Sequence, residues 1–305
     1  MTQPGGRAMT LMVIGSYNRD WVFSLAHLPA PGETVPARGM AQFDGGKGSN
    51  QAVQAARCGA DVVMVASLGA DAGGQAARAL WASEGITAMI EDSMETTGQA
   101  VIFVDAAGEN CIAIVLGANA ALSPAHVEAA VRTTMPRLVL AQREVPEPAI
   151  LAGFHAARAA GARTVLNAAP AGPVPEALLV LTDLLVVNAG EALAMGGHIP
   201  LLAARHAMGV IVTRGAAGAT LVARDGTLRS WPACAVRVRD TTGAGDAFVG
   251  CLAASLAEGL ALEAAMPLAL AAGALACTSD GAVPSLRGQA AIVALARAAG
   301  VAAGP

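Results

Sequence analysis

Two glycine-rich clusters hold the residues best equipped for chemistry in this 305-residue chain. The first is Asp44-Gly45-Gly46-Lys47-Gly48-Ser49-Asn50, ahead of a helix expected from near Ser49. Its glycines allow close backbone approach to a ligand, while Lys47 and Asn50 offer hydrogen-bond donors suited to hydroxyl groups. It is not a Walker A loop. Ala41 stands where that pattern needs its leading glycine, and Gly48 follows the lysine where Ser or Thr should hold magnesium. A turn that merely caps a helix would explain the glycines as well, but not the lysine.

The second cluster is Asp240-Thr241-Thr242-Gly243-Ala244-Gly245-Asp246-Ala247-Phe248. Glycines entering a helix leave consecutive backbone N–H groups free, so Gly243, Ala244 and Gly245 can form an anion hole, strengthened by the helix dipole. Asp246 falls in the first helical turn. An ionised carboxylate is favoured there and can accept the proton of an attacking hydroxyl. In isolation the same run also reads as a plain helix cap.

These clusters need a scaffold, and the chain supplies an alternating one. Short apolar runs at 11–15, 62–67, 138–141, 163–167, 184–187 and 209–213 read as buried strands. Ala-rich stretches at 48–58, 72–84, 125–135 and 147–160 read as helices between them. The alternation implies a doubly wound α/β sheet with parallel strands. Residues 18–43 and 86–116 hold strand-like pieces without helices and suit a small separate β-sheet, and helix-rich sequence fills 246–299. A loose leader before Leu11 and a frayed GVAAGP tail are expected.

Composition narrows the function classes. With 54% apolar and 14% charged residues the chain reads as compact and globular. A net charge of −4 without a basic patch argues against nucleic acid or an anionic membrane as partner. Cys58, Cys111, Cys234, Cys251 and Cys277 lack zinc-like spacing and read as small buried thiols, and the five histidines show no metal spacing. Trp21, Trp81 and Trp231 read as packing residues. The apolar stretch 264–277 is too short to span a bilayer, and the start has no signal-type apolar region, so a cytoplasmic protein is expected.

Taken together, the two clusters resemble the paired signatures of the ribokinase-like, or PfkB-type, carbohydrate kinases. Gly15-Ser16-x-Asn18-x-Asp20, Pro31-Gly32-Glu33-Thr34-Val35 and Gly117-Ala118-Asn119-Ala120-Ala121-Leu122-Ser123-Pro124 extend the resemblance over nearly the whole chain. It implies that Asn18, Asp20, Gly46, Lys47, Asn50 and Glu144 bind a sugar, with Ala100 and Ile102 covering it and Asp246 reaching its hydroxyl. Asn188-Ala189-Gly190-Glu191 resembles the family's Asn-x-x-Glu element, whose glutamate organises magnesium through water. Asn188, Glu191, Thr213, Gly215, Gly218 and Gly245 would then meet ATP. On position alone, Glu191 also suits a helix-dipole role. The resemblance further implies a potassium or similar monovalent-cation site at Asp240, Thr242, Ala276, Ser279, Gly281 and Ser285. The bland alternative has Asp240 beginning a turn and Ser285 capping the final helix.

Three departures stand out: Val187 occupies a usual proline position, the stretch between Gly196 and Val210 is shorter than the family pattern by roughly one to three helical turns, and Asp44 before Gly45 is unusual enough to alter sugar preference. The resulting expectation is a single ribokinase-like α/β domain over 1–305. Its mainly parallel sheet is flanked by helices and carries a small β lid from about 18–43 and 96–116. The implied reaction is transfer of the ATP γ-phosphoryl to the primary 5-hydroxyl of a pentose, foremost D-ribose, by a homodimer joined through its lids. The rivals are a nucleoside or other small-sugar kinase of the same family, and a non-catalytic sugar or nucleotide sensor.

Overall fold

A computed structural model of the chain describes residues 10–206 and 208–300; the expected leader, and the tail beyond Gly300, lie outside them. The chain opens with β1 (Thr10–Ile14), β2 (Asn18–Ser24) and β3 (Gly39–Gly45), then α1 (Lys47–Arg57), β4 (Asp61–Gly69), α2 (Ala72–Ser83) and β5 (Thr87–Ser93). It continues through β6 (Gln99–Val104), β7 (Asn110–Val115), α3 (Pro124–Thr134), β8 (Leu138–Gln142), α4 (Glu147–Ala159) and β9 (Arg163–Asn167). After α5 (Glu176–Val180) come β10 (Leu184–Asn188), α6 (Ala189–Ala194), α7 (Ile199–His206), β11 (Gly209–Thr213), β12 (Ala219–Val222) and β13 (Leu228–Trp231). Helices α8 (Ala244–Ala257), α9 (Leu262–Ala276) and α10 (Gln289–Ala298) follow.

The nine-stranded main sheet runs β13-β12-β11-β10-β9-β8-β1-β4-β5. Every pairing from β11 to β5 is parallel, whereas β12 and β13 add an antiparallel hairpin at one edge. The sheet is buried on both faces, which explains why its strands read as unbroken apolar runs. Along β1, Leu11 and Val13 enter one core while Met12 and Ile14 enter the other. On the first face α8 is buried from Asp246 to Ala257, a position that small residues such as Ala and Gly make possible.

The second sheet, ordered β3-β2-β6-β7, is the lid. It extends to Gly45, so the lid runs almost directly into α1. Residues 87–93, grouped above with the strand-like pieces of 86–116, belong instead to the main sheet, because β5 pairs in parallel with β4. The thiol expectation also needs correction: Cys234 and Cys251 are buried, Cys58 and Cys277 are half-buried, and Cys111 on lid strand β7 is exposed. Of the tryptophans, Trp81 is fully buried and meets Tyr17 edge-on, with ring centroids 5.9 Å apart. Among the described residues no helix is long and apolar enough to cross a membrane.

Candidate active site

In a parallel sheet the strands all end on one side, and the gap where the winding reverses is the natural ligand crevice. Here that gap lies between β1 and β8. Ser16, just past β1, donates from Oγ to Glu144 Oε2 at 2.6 Å, and the Lys47 backbone N–H donates to the same oxygen at 2.9 Å. One carboxylate thus fixes the first turn of α1 across the crevice. Helix α1 starts at Lys47, two residues before the expected Ser49, because Gly46 at φ +87° turns the chain into it. A Cβ at that position would lie 2.7 Å from Tyr17 Cα, so both conformation and contact demand glycine.

The lid brings the expected sugar ligands to the same place. Asn18 is buried, and its Oδ1 accepts from Asn119 Nδ2 at 2.8 Å. Asn119 also grips the Tyr17 backbone, accepting from its N–H at 3.1 Å and donating to its carbonyl at 2.9 Å. Asp20 pairs across strands with Phe43 and Ala100, and Val22 with Ile102, so these side chains share one face of the lid. Burial, reinforced by the Glu144 and Asp44 carboxylates, pushes the Asp20 carboxyl up to about 7.

Asp44 does not join this set. It pairs across strands with Arg19, on the opposite face from Asp20. There it accepts from Tyr17 Oη at 2.5 Å and from the Arg19 guanidinium at 2.8 Å, a brace on the face of the lid opposite Asp20.

Asp246 sits where α1 and α8 converge and is 8% exposed. Asn50 Nδ2 donates to its Oδ2 at 2.9 Å, and Gln51 Nε2 donates to its Oδ1 at 2.9 Å. Asn50 Oδ1 is buried without a partner, an acceptor available to a hydroxyl ligand. Gly243, at φ +75°, is the N-cap of α8. The Ala244 N–H is engaged by Thr241 O at 3.2 Å, whereas the Gly245 N–H lies in the first turn, where no intrahelical acceptor exists. The Asp246 carboxylate acts foremost, against burial, to hold the Lys47 ammonium above its ordinary value, with Glu144 and Glu191 adding to it.

A cavity of ≈ 260 Å³ opens beside these groups, lined among others by Lys47, Asn167, Asn188, Glu191, Thr213 and Asp246. Asn188 and Glu191 form a reciprocal cap on α6, each accepting from the other's backbone N–H at 2.8 Å. Burial outweighs that hydrogen bond and Lys47, leaving the Glu191 carboxyl above its usual range. Gly215 and Gly218 lie outside this cavity lining, on the turn between β11 and β12.

The candidate cation segments meet at Asp240. Its Oδ1 accepts from Thr242 N–H at 2.9 Å and Thr242 Oγ1 at 2.7 Å, and its Oδ2 accepts from Gly281 N–H at 2.8 Å. Although partial burial pushes it up, these hydrogen bonds hold the Asp240 carboxyl below its usual range. Ala276 ends α9, and Ser279 Oγ accepts from Arg287. Ser285 is fully buried and donates to Ala282 O at 2.7 Å. It does not cap the last helix, whose N-cap is Gly288.

Three site residues carried no sequence signal as such: Gln51, Gln142 and Asn167. Asn119 was visible only inside a segment of resemblance.

Residues 9–287 match the description pfkB family carbohydrate kinase. The chain is 35% identical over 291 residues to the ribokinase of Haemophilus influenzae, covering 91% of this chain and 95% of that protein. It is 36% identical over 263 residues to the bifunctional ribokinase/ribose-5-phosphate isomerase A of Fructilactobacillus sanfranciscensis, covering 81% of this chain but only 48% of that longer protein. Among solved structures, Arabidopsis thaliana ribokinase complexed with ribose and ATP superposes with a TM-score of 0.84 at 30% identity, covering 95% of this chain and 99% of that one.

Proposed function

Since the chain belongs to the pfkB family of carbohydrate kinases, we propose that it transfers the γ-phosphoryl group of ATP to the primary hydroxyl of D-ribose, giving ribose 5-phosphate. The observation that carries this reading is the position of Asp246. Its carboxylate is held by Asn50 and Gln51 of α1 and lines the cavity shared with Lys47, Glu191 and Thr213.

In this reading Asn18, Asp20, Asn50 and Glu144 hold the sugar hydroxyls, while Ala100 and Ile102 close over the ring. A polyol needs both donors and acceptors at fixed places, and this set supplies them. Asp246 accepts the proton as the hydroxyl attacks. The Gly245 amide and the α8 dipole steady the negative charge that develops on the transferred group, with Lys47 adding a positive charge nearby. Asn188, Thr213, Gly215 and Gly218 form the nucleotide side.

Among the described residues no cluster of three or more His, Cys, Asp or Glu side chains is arranged to hold a metal ion. On the cavity wall Glu191, which lines it together with Lys47 and Asp246, is the carboxylate that would hold a magnesium ion through water, the phosphates carrying it chiefly. Its contribution when bound is to neutralise phosphate charge. While Asp280 is paired with Arg239, the 240–242 and 276–285 segments offer the Asp240 carboxylate, hydroxyls and backbone carbonyls, a set suited to a large, weakly hydrated cation such as potassium. Their joining through Gly281 N–H and Asp240 supports that assignment.

We also propose a homodimer joined through the lids. Strand β7 is exposed along its whole length at one edge of the lid, with Ile112 52% and Ile114 52% accessible. A row of that kind is a ready surface for pairing with a second copy.

The test is a panel of pentoses, hexoses and nucleosides assayed for ATP consumption. D-Ribose should show the highest kcat/KM. Analogues lacking a hydroxyl that the site hydrogen-bonds should lose about 10⁴-fold. A nucleoside as best substrate, with ribose inert, would give the role to the rival kinase class, and no turnover with any of them would favour a sensor.

A further inference from the structure

We propose that Gln51 is a positioning residue that aims the Asp246 carboxylate at the attacking hydroxyl, an inference that rests on Asp246 being the base. The two donors on that carboxylate are consecutive residues of α1: Asn50 on Oδ2 and Gln51 on Oδ1, each at 2.9 Å. A carboxylate has about four lone-pair sites, so each oxygen keeps one for an incoming proton while the plane of the group is fixed.

The direction of the Gln51 amide is fixed from behind. Its Oε1 accepts from Gln142 Nε2 at 2.7 Å, and its Nε2 also donates to Asn167 Oδ1 at 3.0 Å. Gln51 and Gln142 are both fully buried. Reversing the amide would set Gln51 Oε1 against the Asp246 anion and its NH₂ against that of Gln142. The relay therefore runs one way, from Gln142 through Gln51 to Asp246. Its cost is visible at the far end, where Gln142 Oε1 is buried with no partner. A buried acceptor left unsatisfied calls for a compensating purpose, and orienting Gln51 provides one.

Helix packing supports the same geometry. Gly250, one turn beyond Asp246 on α8, lies so close to α1 that a Cβ there would come within 2.5 Å of Gln51 O. The backbone of Gln51 is thus seated against α8, and its side chain spans only the remaining gap to the carboxylate.

The experiment compares Gln51→Met, Gln51→Glu and Gln142→Met with Asp246→Asn. It measures kcat and KM for ATP and for the best sugar of the panel, and the folded fraction by thermal melting. Gln51→Met keeps the shape and removes the donor, so kcat should fall about 10- to 100-fold while both KM values stay within about threefold. Gln142→Met, which touches neither Asp246 nor the cavity, should lower kcat less but in the same way. Gln51→Glu restores a donor only while protonated, so its kcat relative to the native enzyme should rise as pH falls. Lys47, Glu191 and Asp20 also act electrostatically with Asp246, and all are retained, so the ratio isolates position 51.

Native kcat in folded Gln51→Met and Gln142→Met, alongside lost turnover in Asp246→Asn, would reduce Gln51 to a structural role. Should Gln51→Met not fold, a Gln142→Met enzyme with native kcat and a flat pH ratio for Gln51→Glu would overturn the proposal equally. Retained turnover in Asp246→Asn would instead remove the premise.

Discussion

Asp20 Oδ2 occupies the space where a side chain at position 45 would begin, since a Cβ on Gly45 would fall 2.2 Å from it. The Asp20 carboxylate, a proposed sugar ligand, is therefore seated directly on the backbone that leads into α1. Gly45→Ala must displace Asp20, and the expected result is a rise of about tenfold or more in sugar KM, the loss of roughly one hydrogen bond to a charged group. ATP KM should change little. Steady-state kinetics with each substrate varied in turn checks both statements.

The raised carboxyl of Asp20 gives sugar binding a pH dependence. Its value of about 7 means that it ionises near neutrality, and only the ionised form offers both oxygens solely as acceptors to sugar hydroxyls. Sugar affinity should strengthen as pH rises through 7, and Asp20→Asn should flatten that profile. Stability moves in the opposite direction. Because the folded carboxyl lies above its unfolded value of 3.8, the folded state binds more protons between 3.8 and about 7. Stability should therefore fall as pH rises across that window, and melting curves should show Asp20→Asn gaining on the native chain.

Asp246→Asn preserves shape but cannot accept the proton. Turnover should fall by about 10² or more, the usual scale for loss of a general base. Sugar binding measured by calorimetry should weaken far less, and near-native kcat would remove Asp246 from the role.

The proposed cation site, where Gly281 N–H donates to Asp240, predicts activation by a monovalent cation. At constant ionic strength potassium should support higher kcat than sodium or a bulky organic cation, because simple screening treats these ions alike. Asp240→Asn should abolish the difference. Equal rates in all three, with protein freed of potassium beforehand, would count against the site.

Lid pairing is checked on β7. Ile112→Lys with Ile114→Lys places charge on the exposed edge, so sedimentation should report a monomer for the variant and the proposed dimer for the native chain. The double variant should still melt cooperatively, since both positions are half exposed.

Much of this architecture is legible in the sequence because burial on both sheet faces leaves continuous apolar runs. The stretches 62–67, 138–141 and 184–187 appear as β4, β8 and β10 for that reason. Strand β5 lies at a sheet edge, and its Thr87-Ala88-Met89-Ile90-Glu91-Asp92-Ser93 resembles lid sequence more than core. The β12–β13 hairpin is too short to carry a pattern, at four residues a strand. At the site, glycine clusters advertise themselves through composition. A glutamine in an Ala-rich helix does not. The meaning of Gln51 lies in partners 91, 116 and 195 residues away, a relation only the folded chain makes visible. For Asp44 the folded register adds what the sequence does not show: adjacent to Gly45, it faces the side of the lid opposite Asp20, since successive strand residues alternate.

The long reach between α1 and α8 also bears on how the protein comes into being on the ribosome. Asn50 and Asp246 are 196 residues apart, so the amides of α1 emerge long before their carboxylate exists. Until α8 arrives, Gln51 and Asn50 lack that acceptor, and the apolar face that α8 covers lacks its partner. Closing so distant a contact is slow and must follow the rest of the sheet. With Asp246 as the proposed base, the helix that fills this part of the core also carries the reactive carboxylate. A nascent chain halted before α8 would lack both that packing and the proposed base.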